Sequence, residues 1–326
     1  MEQAKLLYTM VNTRVKTKFV ANQGGRLSNP PPGTVLDHSV TKDNSYEFYM
    51  IPTSCRQGVP TPVHYTILHD FPLFHDPALL SKTGHRVVQF RRDIPSRFGV
   101  LPRYGTQEQI RWFEFEPGYV LHMVNAWEEG DWIIMDGCFQ PDPTIRRDPS
   151  EGPLSSMLAY LRYKGHLRRW RMNLKTGESS EEQLDDLNVE FCLPDMDLYG
   201  VKSRYSYHQL IPTDLQTLAF EGLVKYDHEK GTREIYHYPR GWFPSETAFS
   251  KSTRGGDEDQ GYCVTLATNI ADYQSEAWIF DAKNITAGPI TRIAVPGRVP
   301  AGFHAAWFYG RDLWPITATQ RSRVAA

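Results

Sequence analysis

The segments Tyr119-Val120-Leu121-His122-Met123-Val124, Glu128-Glu129-Gly130-Asp131 and Trp132-Ile133-Ile134-Met135 decide the fold class. Two apolar runs rich in β-branched and aromatic residues flank an acidic turn that contains glycine, which predicts a β-hairpin. The same text recurs downstream. Strands are predicted over Leu198 to Tyr207, Gly222 to Tyr226, Glu234 to Tyr238, Tyr262 to Thr268, Ala277 to Phe280 and Ile290 to Val295, separated by Gly, Asp and Pro turns. Helix-length amphipathic patterns are few, the best running from Pro153 to Lys164. An aromatic content of 13%, with 24 Gly and 23 Pro, also suits short strands joined by turns. The prediction is an all-β fold, with a propeller, a barrel or a sandwich as its forms.

At 326 residues the chain is long enough for a sizeable buried core, and 40% hydrophobic against 23% charged residues excludes bulk disorder. Against 38 Asp+Glu stand 36 Lys+Arg, so the formal charge of −2 offers no grip on a phosphate backbone and argues against nucleic acid as a partner. No apolar run reaches membrane-spanning length and the first residues lack the apolar core of a secretion signal, which predicts a cytoplasmic protein. In that compartment Asn284-Ile285-Thr286 is a chance match to a glycosylation acceptor. Cys55, Cys138, Cys192 and Cys263 form no C-x-x-C pair and are expected as reduced, mostly buried thiols. Residues 1–60, with Pro30-Pro31-Pro32-Gly33, show little periodicity and form a divergent segment; 61–326 carry the regular strand pattern.

Eleven histidines turn attention to imidazole, although a single strand histidine is ordinarily structural. His122 stands out inside an apolar strand, and His304 lies among small residues in Pro300-Ala301-Gly302-Phe303-His304-Ala305-Ala306-Trp307. Glu190 and Glu246 sit in similarly apolar text, and carboxylates are the usual partners that orient a metal-bound histidine.

Arg111-Trp112-Phe113, Tyr119 to Glu128, Glu246 ahead of Gly255 to Gly261, and Pro296-Gly297-Arg298-Val299-Pro300-Ala301-Gly302-Phe303-His304 together resemble the carotenoid cleavage oxygenases, in order and with matching spacing from about His64 to Trp314. The resemblance implies a seven-bladed β-propeller with Fe(2+) on its axis, held by four histidines that are oriented by glutamates. It identifies His122 and His304 as two of the ligands, and Glu190 and Glu246 as the groups that orient them. The implied activity is non-haem iron(II) dioxygenation that cleaves a conjugated C=C bond of carotenoids or apocarotenoids to carbonyl products. Implied partners are an apolar polyene or stilbene and O2, with peripheral membrane contact for substrate uptake.

Upstream of residue 64 the sequence departs from that family. His69-Asp70-Phe71 looks like the motif of another ligand, but register counted from His64-Tyr65-Thr66-Ile67-Leu68 places that ligand near Gln57, a poor donor to iron(II). His69 is assigned instead to a solvated turn, with ligation as the alternative, and His38 is the weaker candidate for a first ligand. Family members are longer by about 150 residues at the N-terminal side, the material of about two blades. The chain is therefore expected to be an incomplete propeller with about five blades represented and with impaired activity. Two alternatives stand beside it: an inactive remnant serving as a binding or interaction module, and a stilbene-cleaving dioxygenase.

Overall fold

The computed structural model describes residues 50–51, 64–75, 82, 88–213, 218–300, 302 and 304–308. His38 and Gln57 lie outside them. The expectation of an all-β, propeller-type fold is met, among the described residues, by four antiparallel sheets and a two-stranded ribbon. In the first sheet Met50–Ile51, Tyr65–Asp70, Ser96–Pro102 and Arg111–Phe115 lie side by side, and the ribbon pairs Leu73–His75 with Val88–Phe90. The second sheet runs Tyr119–Glu129, Trp132–Gln140, His166–Asn173, Ser179–Gln183, and the third Val189–Leu193, Tyr205–Leu210, Gly222–Asp227, Thr232–His237. In the fourth, Trp242–Pro244 and Ala248–Lys251 both pair with Gly261–Asn269, followed by Ser275–Asp281 and Pro289–Val295. In the second and third sheets sequence neighbours are sheet neighbours, the up-and-down meander of a propeller blade, while the first sheet skips the ribbon and Trp242–Pro244 pairs past Ala248–Lys251.

The predicted hairpin closes as the sequence dictates. Glu129 pairs with Trp132, and Gly130 takes the left-handed backbone (φ +61°) that a two-residue turn requires. The long apolar run Trp132–Gln140 is buried at almost every position because a sheet packs against each of its faces. Three core clusters fill the spaces between successive sheets. Ile67, Phe98 and Phe113 meet Val120, Met135 and Trp170; Val124, Cys138 and Leu167 meet Val189, Cys192 and Val224; Phe191, Tyr207 and Leu223 meet Phe249, Cys263 and Trp278.

Three sequence readings are corrected. The strand expected over Leu198 to Tyr207 begins only at Tyr205. Its first half is a loop clamped by buried Asn125, whose amide donates to the carbonyls of Leu198 (3.0 Å) and Val201 (2.8 Å) and accepts from Gly200 N–H (3.0 Å). The helix expected from Pro153 to Lys164 is reduced to Ser155–Leu161 after a 3-10 segment, Pro149–Leu154, in which Gly152 has φ +65°. Tyr163 then leaves the helix to place its hydroxyl 3.0 Å from the buried Cys138 carbonyl. His69 is not in a solvated turn; it lies in the strand Tyr65–Asp70, 2% exposed, with Phe71 and Phe98 packed on its ring. That burial lowers its pKa to about 3.

Gly261 begins the strand that carries both short segments of the fourth sheet, and a Cβ there would overlap the Ser250 carbonyl oxygen. Gly261→Ala is expected to cost about 1–3 kcal/mol by overpacking, read as a lower midpoint in urea unfolding.

Candidate metal centre

Each candidate side chain on a strand is delivered by the first strand of a sheet, at a point where regular pairing breaks. His122 falls within the first of two register shifts in Tyr119–Glu129, the one between Val120 and Met123. Glu190 precedes a register shift in Val189–Leu193, where Phe191 adopts a left-handed φ of +53°. Glu246 occupies the interval between Trp242–Pro244 and Ala248–Lys251. Such irregularities turn a side chain out of the pleat, which is why they gather at functional sites. His304 follows the last strand, on a segment stitched to the fourth sheet: Val299 O accepts from Thr268 Oγ1 (2.7 Å), Gly302 N–H donates to Ser245 Oγ (2.9 Å), and Gly302 O accepts from Glu246 N–H (3.3 Å).

These four residues converge. The His122 and His304 rings stand edge to face with centroids 5.1 Å apart. Glu190 Oε2 lies 2.5 Å from His122 Nδ1, and Glu246 Oε2 lies 3.3 Å from His304 Nδ1. Glu190 is fully buried and its carboxylate meets four donors. Oε1 receives the His122 backbone N–H and lies within reach of the Tyr163 hydroxyl, both at 3.1 Å; Oε2 receives His122 Nδ1–H and the backbone N–H of Phe191. A carboxylate accepts at about four positions, so it is saturated without leaving the protein. Glu246 accepts from the Ala305 N–H, which ties it to the backbone beside His304.

Burial pulls the His122 pKa down, but the charge and hydrogen bond of Glu190, aided by the charge of Glu246, outweigh it and leave the pKa raised. With a carboxylate accepting at Nδ1, the proton stays there and the Nε2 lone pair is available. His122 is mostly buried, while the His304 side chain is 60% exposed. Phe191 packs against both rings, at 5.1 and 6.0 Å, and against Phe220 at 4.9 Å, so the wall beside the imidazoles is apolar.

The donor set fits a metal ion. Two imidazoles with ring centroids 5.1 Å apart, each with a carboxylate at Nδ1, are the donors that would hold it. His69 lies on the strand Tyr65–Asp70, with Phe71 and Phe98 against its ring. Sequence reasoning missed Tyr163, which braces Glu190 from a loop. It also missed a buried group formed by Cys138, Cys192 and His208, whose members come from three strands and share no diagnostic spacing.

Comparison with known proteins agrees with the geometry. The family model described as retinal pigment epithelial membrane protein matches residues 61–309, and a Piwi-domain model matches residues 1–76, less than a quarter of the chain. The carotenoid 9,10(9',10')-cleavage dioxygenase of Crocus sativus is 32% identical over 74% of this chain and 46% of its own length. The isoeugenol monooxygenase of Pseudomonas putida is 28% identical over 69% of this chain and 49% of its own. Cobalt-substituted Synechocystis ACO superposes with a TM-score of 0.65 at 25% identity, covering 75% of this chain and 51% of that one. The chain thus spans about half the length of the curated relatives it matches. From the convergence of His122, His304, Glu190 and Glu246 together with a match over most of its length, the chain belongs to the retinal pigment epithelial membrane protein family, the carotenoid cleavage oxygenases.

Proposed function

We propose that the chain carries part of a non-haem iron(II) centre for oxidative cleavage of a conjugated C=C bond in a carotenoid or apocarotenoid. The observation behind this reading is the pair of imidazoles, 5.1 Å apart, each backed by a glutamate at Nδ1. His122 and His304 would hold the ion through Nε2. Glu190 and Glu246 keep the proton on the opposite nitrogen and fix the ring planes. Iron(II), when bound, supplies the redox chemistry by which one O2 and one C=C bond give two carbonyl groups. Phe191 and Phe220 supply an apolar wall that keeps water from the substrate side of the imidazoles.

A centre held by His122 and His304 alone would bind iron more weakly than four histidines do and would be impaired in cleavage. A phenolic alkene is the second substrate reading, favoured by the similarity to isoeugenol monooxygenase. Leu121, Trp307 and Phe308, neighbours of the two histidines in sequence, are exposed apolar groups suited to peripheral contact with a lipid surface holding the substrate. The net charge of −2 speaks against nucleic acid as a partner. We place the boundary of the divergent segment at residue 60, which is supported by the start of the family match at 61 and by the pairing of Tyr65–Asp70 within the first sheet.

Anaerobic reconstitution with ferrous iron, followed by metal analysis and an O2-dependent cleavage assay, tests the proposal. Iron is expected below one per chain, lost on His122→Ala, and bound about 10- to 100-fold more weakly after Glu246→Gln. Iron binding indifferent to both substitutions would overturn the metal reading. One tight iron per chain with rapid turnover would overturn the impairment.

A further inference from the structure

Between the second and third sheets lies a second set of soft and imidazole donors. Cys138 Sγ, from Trp132–Gln140, Cys192 Sγ, from Val189–Leu193, and a ring nitrogen of His208, from Tyr205–Leu210, lie within 4.8 Å of one another. All three residues are buried, His208 to 1% exposure, and neither cysteine is in a disulfide. Cys138 Sγ stands 3.7 Å from His208 Nδ1.

The surroundings decide which form of the imidazole faces the thiols. His208 Nε2 is 2.8 Å from Ser206 Oγ, and Ser206 Oγ is 2.8 Å from His228 Nε2. His228 Nδ1 in turn lies 3.9 Å from Asp136 Oδ2, a carboxylate held by both Arg169 Nε and Nη2 at 2.7 Å. The negative charge favours the proton on His228 Nδ1. His228 Nε2 then accepts from the Ser206 hydroxyl, and Ser206 Oγ accepts from His208 Nε2–H. This relay leaves an unprotonated Nδ1 on His208 directed at Cys138. Burial lowers the His208 pKa and keeps the ring neutral. A neutral imidazole whose far nitrogen donates to a fixed acceptor is how proteins present histidine to a metal.

We infer that Cys138, Cys192 and His208 form a binding site for a thiophilic divalent cation, Zn2+ by charge balance, distinct from the His122 and His304 pair. On binding, each thiol S–H bond breaks with its proton released to solvent, and both sulfur electron pairs go to the ion. Two thiolates and a neutral imidazole around a divalent ion leave no net charge in the dry space between the sheets, a condition a monovalent ion would not satisfy. No electron changes hands. The site joins two sheets and sits behind the first centre, since Cys192 Sγ lies 3.7 Å from the His122 carbonyl oxygen.

Co2+ titration of the reduced, folded full chain under anaerobic conditions provides the test. Thiolate ligation gives a sulfur-to-cobalt charge-transfer band that a histidine-only centre cannot produce. The band is expected in the intact chain and in His122→Ala, to fall at least tenfold in Cys138→Ser and in Cys192→Ser, and to persist in Cys55→Ser. Its absence from the intact chain, or its survival in both serine variants, would overturn the site. Should the serine variants fail to fold, X-ray absorption on the Zn2+-loaded intact chain decides: sulfur at about 2.3 Å supports the site, and a shell of nitrogen and oxygen only overturns it.

Discussion

Glu190→Ala is expected to destabilise the chain by about 3–5 kcal/mol, more than any exposed substitution. The carboxylate is fully buried and satisfies the backbone N–H groups of His122 and Phe191, His122 Nδ1–H and the Tyr163 hydroxyl. Its removal strands these donors, and each buried donor left unmet costs about 1–3 kcal/mol. Phe191 adds to the loss, because its left-handed backbone is held partly by the Glu190 side chain. Glu190→Gln separates structure from site. The amide refills the space, but one of its ends is an NH2 where a carboxylate oxygen accepted. Placed at Oε2, it makes His122 accept at Nδ1 and carry its proton on Nε2, where the ion would bind; placed at Oε1, it donates to Tyr163 but leaves the His122 backbone N–H unmet. Urea unfolding should therefore show a smaller loss for glutamine than for alanine, while iron binding is weakened in both. Equal iron affinity in Glu190→Gln and the parent chain would exclude the orienting role.

Trp278→Ala should cost a similar amount, about 3–5 kcal/mol, through a different mechanism. Trp278 is completely buried in the cluster between the third and fourth sheets, against Tyr238 at 6.1 Å and Trp242 at 5.0 Å. Its indole N–H donates to Glu276 Oε2 at 2.7 Å, and the Arg292 guanidinium lies over its ring at 4.6 Å. Truncation opens a large apolar cavity and frees an ion pair that needs the ring as a floor. Urea unfolding measures the loss. Because Glu246 and His304 are both carried by the fourth sheet, a second readout is weaker iron binding without any change at the site itself.

The sequence made the strands legible wherever one face or both were apolar over several residues. The strands near Gly222, Tyr262 and Ile290 appear within a residue or two of where the pattern put them, and the hairpin's two strands start at Tyr119 and Trp132 as read but run on to Glu129 and Gln140. It misled where a distant polar side chain overrode local preference: Asn125 holds residues 198–201 in a loop that their own composition does not announce. His69 is interior and not in a solvated turn: register counted along the chain places the ligand motif near Gln57 and carries no information on burial, which packing on Phe71 and Phe98 supplies. The metal-site candidates were legible through polar residues in apolar text and through family resemblance. Cys138, Cys192 and His208 were not. They meet only because two sheets pack face to face, and no spacing along the chain encodes that meeting.

The Glu190–His122 hydrogen bond crosses from the third sheet to the second, and the Glu246–His304 contact fastens the chain beyond the fourth sheet back onto it. The first link joins the first strands of both sheets, Tyr119–Glu129 and Val189–Leu193, so a small rocking of one sheet on the next displaces the imidazole. The site is thus a vernier for the seating of the sheets: their apolar faces tolerate a slide of a few tenths of an ångström, whereas a hydrogen bond of 2.5 Å to a saturated carboxylate does not. Alignment of the imidazoles is therefore set by the packing of whole sheets as much as by the residues that touch them.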